Sequence, residues 1–262
     1  MGLPVGAQAA APTFPGRKGR HLDWARHDFT AEGQSFTVAV PQQAAPGRPW
    51  LWVAEFFGHQ FWHGLDAQLL GRGWHIAHNP SAAGLYGCPR AVAAWSAAYD
   101  VWTRRFALAP RPVLAGYSRG GLLAYNWAAS RPDAVGAIYA DAPVCAIGSW
   151  PGGKGRGTGS APDWQRCLAA YGLTDEQGTA YASNPVDRLG PLARAQVPLL
   201  HVVGDADDVV PVEENTALIE TRYRAREGLI TVIHKPGVGH HPHALVDPAE
   251  IVDFITQRAL PG

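Results

Sequence analysis

Net charge is the first thing this 262-residue chain lacks, since 22 Lys and Arg balance 22 Asp and Glu. The electrostatic footprint of a nucleic-acid or anionic-membrane binder is therefore missing, and neither is expected as a partner. Long apolar runs are missing too: no uncharged stretch approaches the about 18 residues that a spanning helix needs. Cysteine is scarce, with only Cys88, Cys145 and Cys167. An odd count cannot complete a disulfide framework, and none sits in CxxC or Cys/His zinc spacing. One bridge plus a free thiol and three reduced buried thiols both fit. Charged residues make up just 17%, whereas hydrophobic ones reach 47%, enough for a sizeable core and too many for wholesale disorder. The length fits one large α/β domain or two small ones. Ten Trp, eight Tyr and eight Phe suit sugar or aromatic ligands, and equally suit a plain core.

There is no internal repeat and no heptad. Short β-rich runs alternate with longer helical stretches, the pattern of a mainly parallel sheet covered on both faces. Strands are predicted at 35–40 (SFTVAV, antiparallel in type), 50–54, 73–78, 112–116, 134–140, 197–203 and 229–234. Helices are predicted at 64–70, 91–106, 120–130, 212–226 and 248–260. Residues 1–20, rich in Ala, Gly and Pro, are expected to be a flexible tail ahead of a domain at 21–262. Ala7-Gln8-Ala9 has the small-x-small pattern of a signal cleavage site but no basic region before it. As the stub of a trimmed export signal it implies a secreted or periplasmic protein, otherwise a cytoplasmic one. The interval 141–195 is too long for a structureless connection, so an insertion at about 144–192, with a short helix at 164–171, is expected to fold over the sheet as a lid. Its glycines match neither GxGxxG nor GxxxxGK[ST], which makes it a flexible loop rather than a phosphate cradle.

The sharpest signal is Gly116-Tyr117-Ser118-Arg119-Gly120-Gly121, between a predicted strand and a predicted helix. This is G-x-S-x-G in the context it needs: small flanking residues let the chain turn so tightly that Ser118 is pushed up at the carboxyl edge of the sheet. A serine hydroxyl needs a base, itself oriented by an acid. Both follow in that order after later strands, in Gly204-Asp205-Ala206-Asp207-Asp208 and in Gly239-His240-His241-Pro242-His243. Open α/β sheets collect catalytic groups at the carboxyl ends of strands, so one rim receives all three.

These motifs, spanning roughly 28–260, resemble the α/β-hydrolase superfamily. The resemblance implies a mostly parallel central sheet flanked by helices, Ser118 as nucleophile, Asp207 as acid and His240 as base. Asp205 or Asp208 would be the alternative acids, and His241 or His243 the alternative bases. More narrowly, PWLWVAEFFGH, GYSRGG, YADAPV, SWPGG, GDADDVVP and GVGHHPH resemble bacterial polysaccharide-associated, pectin methylesterase-like carbohydrate esterases. That implies a carboxylic-ester hydrolase acting on a small or oligosaccharide ester, such as a uronate methyl ester or an O-acetyl sugar, with no cofactor. An exopeptidase or amidase of the same fold would need a pocket acid, for which Glu55 stands available. A non-catalytic glycan-binding protein with a relic triad would have lost at least one of the three groups.

The oxyanion hole needs two backbone donors, assigned to Arg119 and to Phe56, with Phe57 next to it as the alternative. The Arg119 side chain could also hold a substrate carboxylate, as the Ser-Arg pair of glucuronoyl-type esterases suggests by analogy, or simply pair with a nearby acid. Trp62, Trp150 and Trp164 fall in the presumed entrance and lid and are candidates for stacking on sugar rings, with lid packing as the alternative. Lys154 and Arg156 could meet an anionic sugar or only solvent. Asp141 ends a strand and could cap the following turn. The His59/His63 and His75/His78 spacings are ligand-like but lack an acidic partner, which favours packing. The cluster at 240–243 has no carboxylate in its spacing and no HExxH, so no metal is assigned.

Overall fold

A computed structural model describes residues 12–258. Among the described residues nine strands form one sheet: β1 (Arg17–His21), β2 (Trp24–Ala31), β3 (Gln34–Val40), β4 (Trp50–Val53), β5 (His75–His78), β6 (Val113–Tyr117), β7 (Ala137–Asp141), β8 (Leu199–Gly204) and β9 (Ile230–Lys235). Their spatial order is β1-β2-β3-β5-β4-β6-β7-β8-β9. The first three strands and the β3–β5 pairing are antiparallel. From β5 through β4 to β9 the sheet is parallel.

Both faces of the parallel part are covered, and the strands show why. Along β4, Trp50 and Trp52 enter one core layer while Leu51 and Val53 enter the other; β7 splits Ile138 and Ala140 from Ala137 and Tyr139 in the same way. A strand buried on both sides reads as a continuous apolar run, as these do. The first layer is closed by α2 (Pro89–Asp100), α3 (Gly120–Ser130), α6 (Gly190–Arg194) and α7 (Thr216–Arg224). The second is closed by α1 (His63–Gly71) and α8 (Ala249–Arg258). Aromatic residues dominate the first layer. Trp52 and Trp95 stack with centroids 4.0 Å apart, and the indole N–H groups of Trp52 and Trp102 both donate to Asn79 Oδ1, at 3.0 and 2.9 Å. Most of the tryptophan surplus is thus core: the indole N–H groups of Trp50, Trp52, Trp102, Trp127 and Trp164 find acceptors, whereas those of Trp62 and Trp95 are buried without one. All three cysteines are buried free thiols.

The sequence expectations need three corrections here. Strand β1 begins inside the stretch expected to be tail and ends at His21: RKGRH is mostly exposed and carries no apolar alternation, so its pairing with β2 is what defines it. The remainder of that tail, with Ala7-Gln8-Ala9, lies outside the described residues. The helix expected at 91–106 is regular only to Asp100 and continues at Val101–Arg105 as a π-helical turn. Between β7 and β8 the chain is ordered: α4 (Ala161–Tyr171), α5 (Asp175–Thr179) and α6 carry it back to the sheet. Ser160 caps α4 by accepting from the Asp163 N–H, and Gly172 ends it in the left-handed region. The glycine-rich stretch is packed rather than loose. A side chain at Gly155 would run into the Glu214 carboxylate, and the Arg156 N–H donates to that same group.

Candidate active site

Strand β6 delivers Ser118 to the carboxyl rim, and α3 starts two residues later. Its backbone has φ 44°, the left-handed region that a β-carbon disfavours. Three bonds hold that strain in place: the Ser118 N–H donates to Asp141 O at 3.0 Å, and Ser118 O accepts from Gly121 N at 3.0 Å and Val144 N at 2.8 Å. Gly121 permits the close approach, since a β-carbon there would lie 2.7 Å from Pro143 Cβ. The turn therefore depends on that glycine as directly as on the serine.

Asp207 follows β8 in a tight turn. Its Oδ1 accepts from Val209 N at 3.0 Å and Val210 N at 2.8 Å, leaving Oδ2 for His240 Nδ1 at 2.7 Å. With a carboxylate at Nδ1, the ring proton sits there and Nε2 is left to accept from the Ser118 hydroxyl, 3.1 Å away. The acid and base side chains are 1% and 7% exposed, so their attraction is poorly screened by water. The alternative acids are placed elsewhere: Asp205 pairs with His234 at the surface, while Asp208 receives the Thr158 N–H on its backbone oxygen. Among the alternative bases, His243 is turned to Asp141 at 2.9 Å. His241 is exposed; partial desolvation, then the neighbouring His243 and His240, push its pKa down.

The loop after β4 supplies the other wall. Phe56 has φ 60°, and among the described residues neither its N–H nor that of Arg119 is spent on a protein acceptor. Two amides without a protein acceptor are what an oxyanion site would need. The Arg119 guanidinium lies over the Phe56 ring at 5.0 Å and meets Glu55 at 3.5 Å. Glu55 is buried and also accepts from the Gly84 N–H at 2.6 Å. Burial pushes its pKa up, against the opposing pull of Arg119 and that amide. A cavity of about 230 Å³ opens over Ser118, lined by Phe56, His59, Phe61, His240, His241 and His243.

The tryptophans do not serve this cavity. Trp62 is fully buried, edge-on to Tyr117 at 4.0 Å, and Trp164 is buried with its indole N–H on Asp175, so neither can stack on a sugar. Trp150 is half-buried against Tyr86, outside the lining of the cavity. Lys154 and Arg156 are engaged by Asp175 and Glu213. Sequence reasoning missed His59 and Phe61 as lining, and it missed the tie from Asp141 to the histidine loop, where Oδ2 also accepts the Ala244 N–H at 2.9 Å. The strand-end position of Asp141 was the available clue. His75 and His78 pack as expected, each on a backbone carbonyl.

The parallel sheet, the strained serine turn and the serine–imidazole–carboxylate line define a serine-type α/β hydrolase. Residues 92–258 match the prolyl oligopeptidase family, and the chain belongs to it. No curated protein sequence matches the chain. Several solved structures share the fold. A puromycin-hydrolysing peptidase of Mycobacterium tuberculosis superposes with TM-score 0.67 at 14% identity, over 92% of this chain and 39% of that one. Dipeptidyl peptidase 4 of Porphyromonas gingivalis gives 0.63 at 16%, over 89% and 35%. Est1E from Butyrivibrio proteoclasticus gives 0.60 at 17%, over 89% and 98%. This chain therefore spans little more than a third of the length of those two peptidases.

Proposed function

We propose that the protein is a serine-dependent carboxylic-ester hydrolase working through an acyl-enzyme. The observation that carries this is the unbroken Ser118–His240–Asp207 line, with Ser118 and His240 on the wall of the small cavity. Ser118 attacks the acyl carbon while His240 Nε2 takes its proton. Asp207 holds the ring and stabilises its charged form, and the two amides bind the tetrahedral oxyanion. His240 then returns the proton to the leaving alkoxide, and water resolves the acyl-enzyme with His240 again as base. Residues 144–192 serve in this reading as the cover of the rim, anchored through Trp164 and Leu168 to Tyr86 and Leu122.

The cavity is small and walled by aromatic and imidazole rings, which suits a short acyl group or a methyl ester. Glu55, already committed to Arg119 and the Gly84 amide, is poorly placed to receive a substrate α-ammonium group, and this favours ester over aminopeptidase chemistry. The motif resemblance supports a carbohydrate-borne ester, a uronate methyl ester or an O-acetyl sugar, within that class. Membership of the prolyl oligopeptidase family favours a second reading, amide or peptide hydrolysis by the same groups. A panel of methyl-esterified pectin fragments, acetylated xylan, short nitrophenyl esters and aminoacyl-naphthylamides separates the two. Turnover of esters alone, lost in Ser118→Ala, is the expected outcome; turnover of the naphthylamides alone would transfer the assignment to the peptidase reading.

A further inference from the structure

The triad leaves a second buried acid–imidazole pair without a task. Asp141 at the end of β7 holds His243 Nδ1 at 2.9 Å, with side chains 0% and 4% exposed. The His243 ring lies 4.7 Å from those of both His240 and His241. Two Asp–His pairs drawn from different strands thus face one small cavity, with a third imidazole at its mouth.

We propose that His240, His241 and His243 form a binding site for a divalent transition cation, zinc by preference, which shuts the cavity over Ser118 when it binds. One ring nitrogen from each histidine lies within 4.8 Å of the others. Nδ1 is occupied in His240 and in His243, by Asp207 and Asp141, so Nε2 is the nitrogen each would offer, that of His240 in place of its contact with the Ser118 hydroxyl. A carboxylate on the far nitrogen is the arrangement that fixes metal-binding imidazoles, because it sets both tautomer and ring orientation. The donor set is all nitrogen, which suits Zn²⁺, Cu²⁺ or Ni²⁺ and disfavours Mg²⁺ and Ca²⁺. Three protein nitrogens plus one water would complete a tetrahedral shell. A cation on His240 Nε2 takes the lone pair that accepts the Ser118 proton, so the site is inhibitory and its occupancy competes with substrate.

Direct titration of untagged protein with zinc chloride in a calorimeter, with magnesium chloride as control, tests this without requiring turnover. A failure of the hydrolase reading would leave the result interpretable. The expected result is one saturable zinc site per chain and no magnesium binding. Asp141→Asn should weaken it about 10–100-fold, as loss of an outer-shell partner does. The exposed His241→Ala, which removes a ligand without disturbing the core, should weaken it at least as much. Absence of saturable zinc binding by the unaltered protein, or an affinity that His241→Ala leaves unchanged, would overturn the proposal.

Discussion

Asp207 shows how much a single side chain has to do in this site. One oxygen is fixed by the amides of Val209 and Val210, so the other can point only at His240. An asparagine here would keep its oxygen on the Val209 and Val210 amides and turn its NH2 to the ring, favouring the tautomer that cannot accept from Ser118. Asp207→Asn should therefore lower kcat about 10⁴-fold near neutral pH while the far-ultraviolet circular dichroism stays unchanged. A loss of under tenfold, in a folded variant, would assign the orienting role elsewhere. In the proposed mechanism Phe56 and Arg119 are the complementary case, in which side-chain identity matters less than the amide each residue presents. Arg119 is occupied by Glu55 and the Phe56 ring, which supports its structural pairing over substrate capture.

At the scale of elements, the legible parts of the sequence were those whose pattern is local. The buried parallel strands announce themselves as apolar runs, and G-x-S-x-G lies between one of them and α3, so the turn at Ser118 could be placed from the chain alone. The chain order Ser118, Asp207, His240 was legible for the same reason, each residue following its own strand. What stayed hidden depends on partners far away in sequence. Strand β1 is exposed and polar, and exists because β2 pairs with it. The tryptophans look alike in a sequence, yet Trp62 is sealed under Tyr117. Asp141 and His243 are separated by 102 positions, so no spacing rule could join them.

The whole molecule carries a pH dependence independent of the active site. Burial, reinforced by nearby Arg48, lowers the His75 pKa to about 4, and burial alone lowers that of His201 to about 3. Above about pH 6.5 neither the folded nor the unfolded chain protonates these rings, so they leave stability unaffected there. Between about 6.5 and those lowered values the unfolded chain takes up protons that the fold refuses, and stability falls as pH falls, by about 1.4 kcal/mol per pH unit for each ring fully in its window. Glu55, raised by burial, works in the opposite sense, so the clean comparison is with His75→Gln. The thermal midpoint should drop between pH 7 and 4.5, and less steeply in that variant; identical slopes would contradict the assignment. The central claim, that the hydroxyl of Ser118 is made nucleophilic by His240, is tested most directly by mass spectrometry after treatment with a fluorophosphonate probe. A single adduct on Ser118, absent from Ser118→Ala and slowed by orders of magnitude in His240→Ala, is predicted. An unmodified Ser118 in folded protein, or equal labelling of the His240→Ala variant, would contradict it.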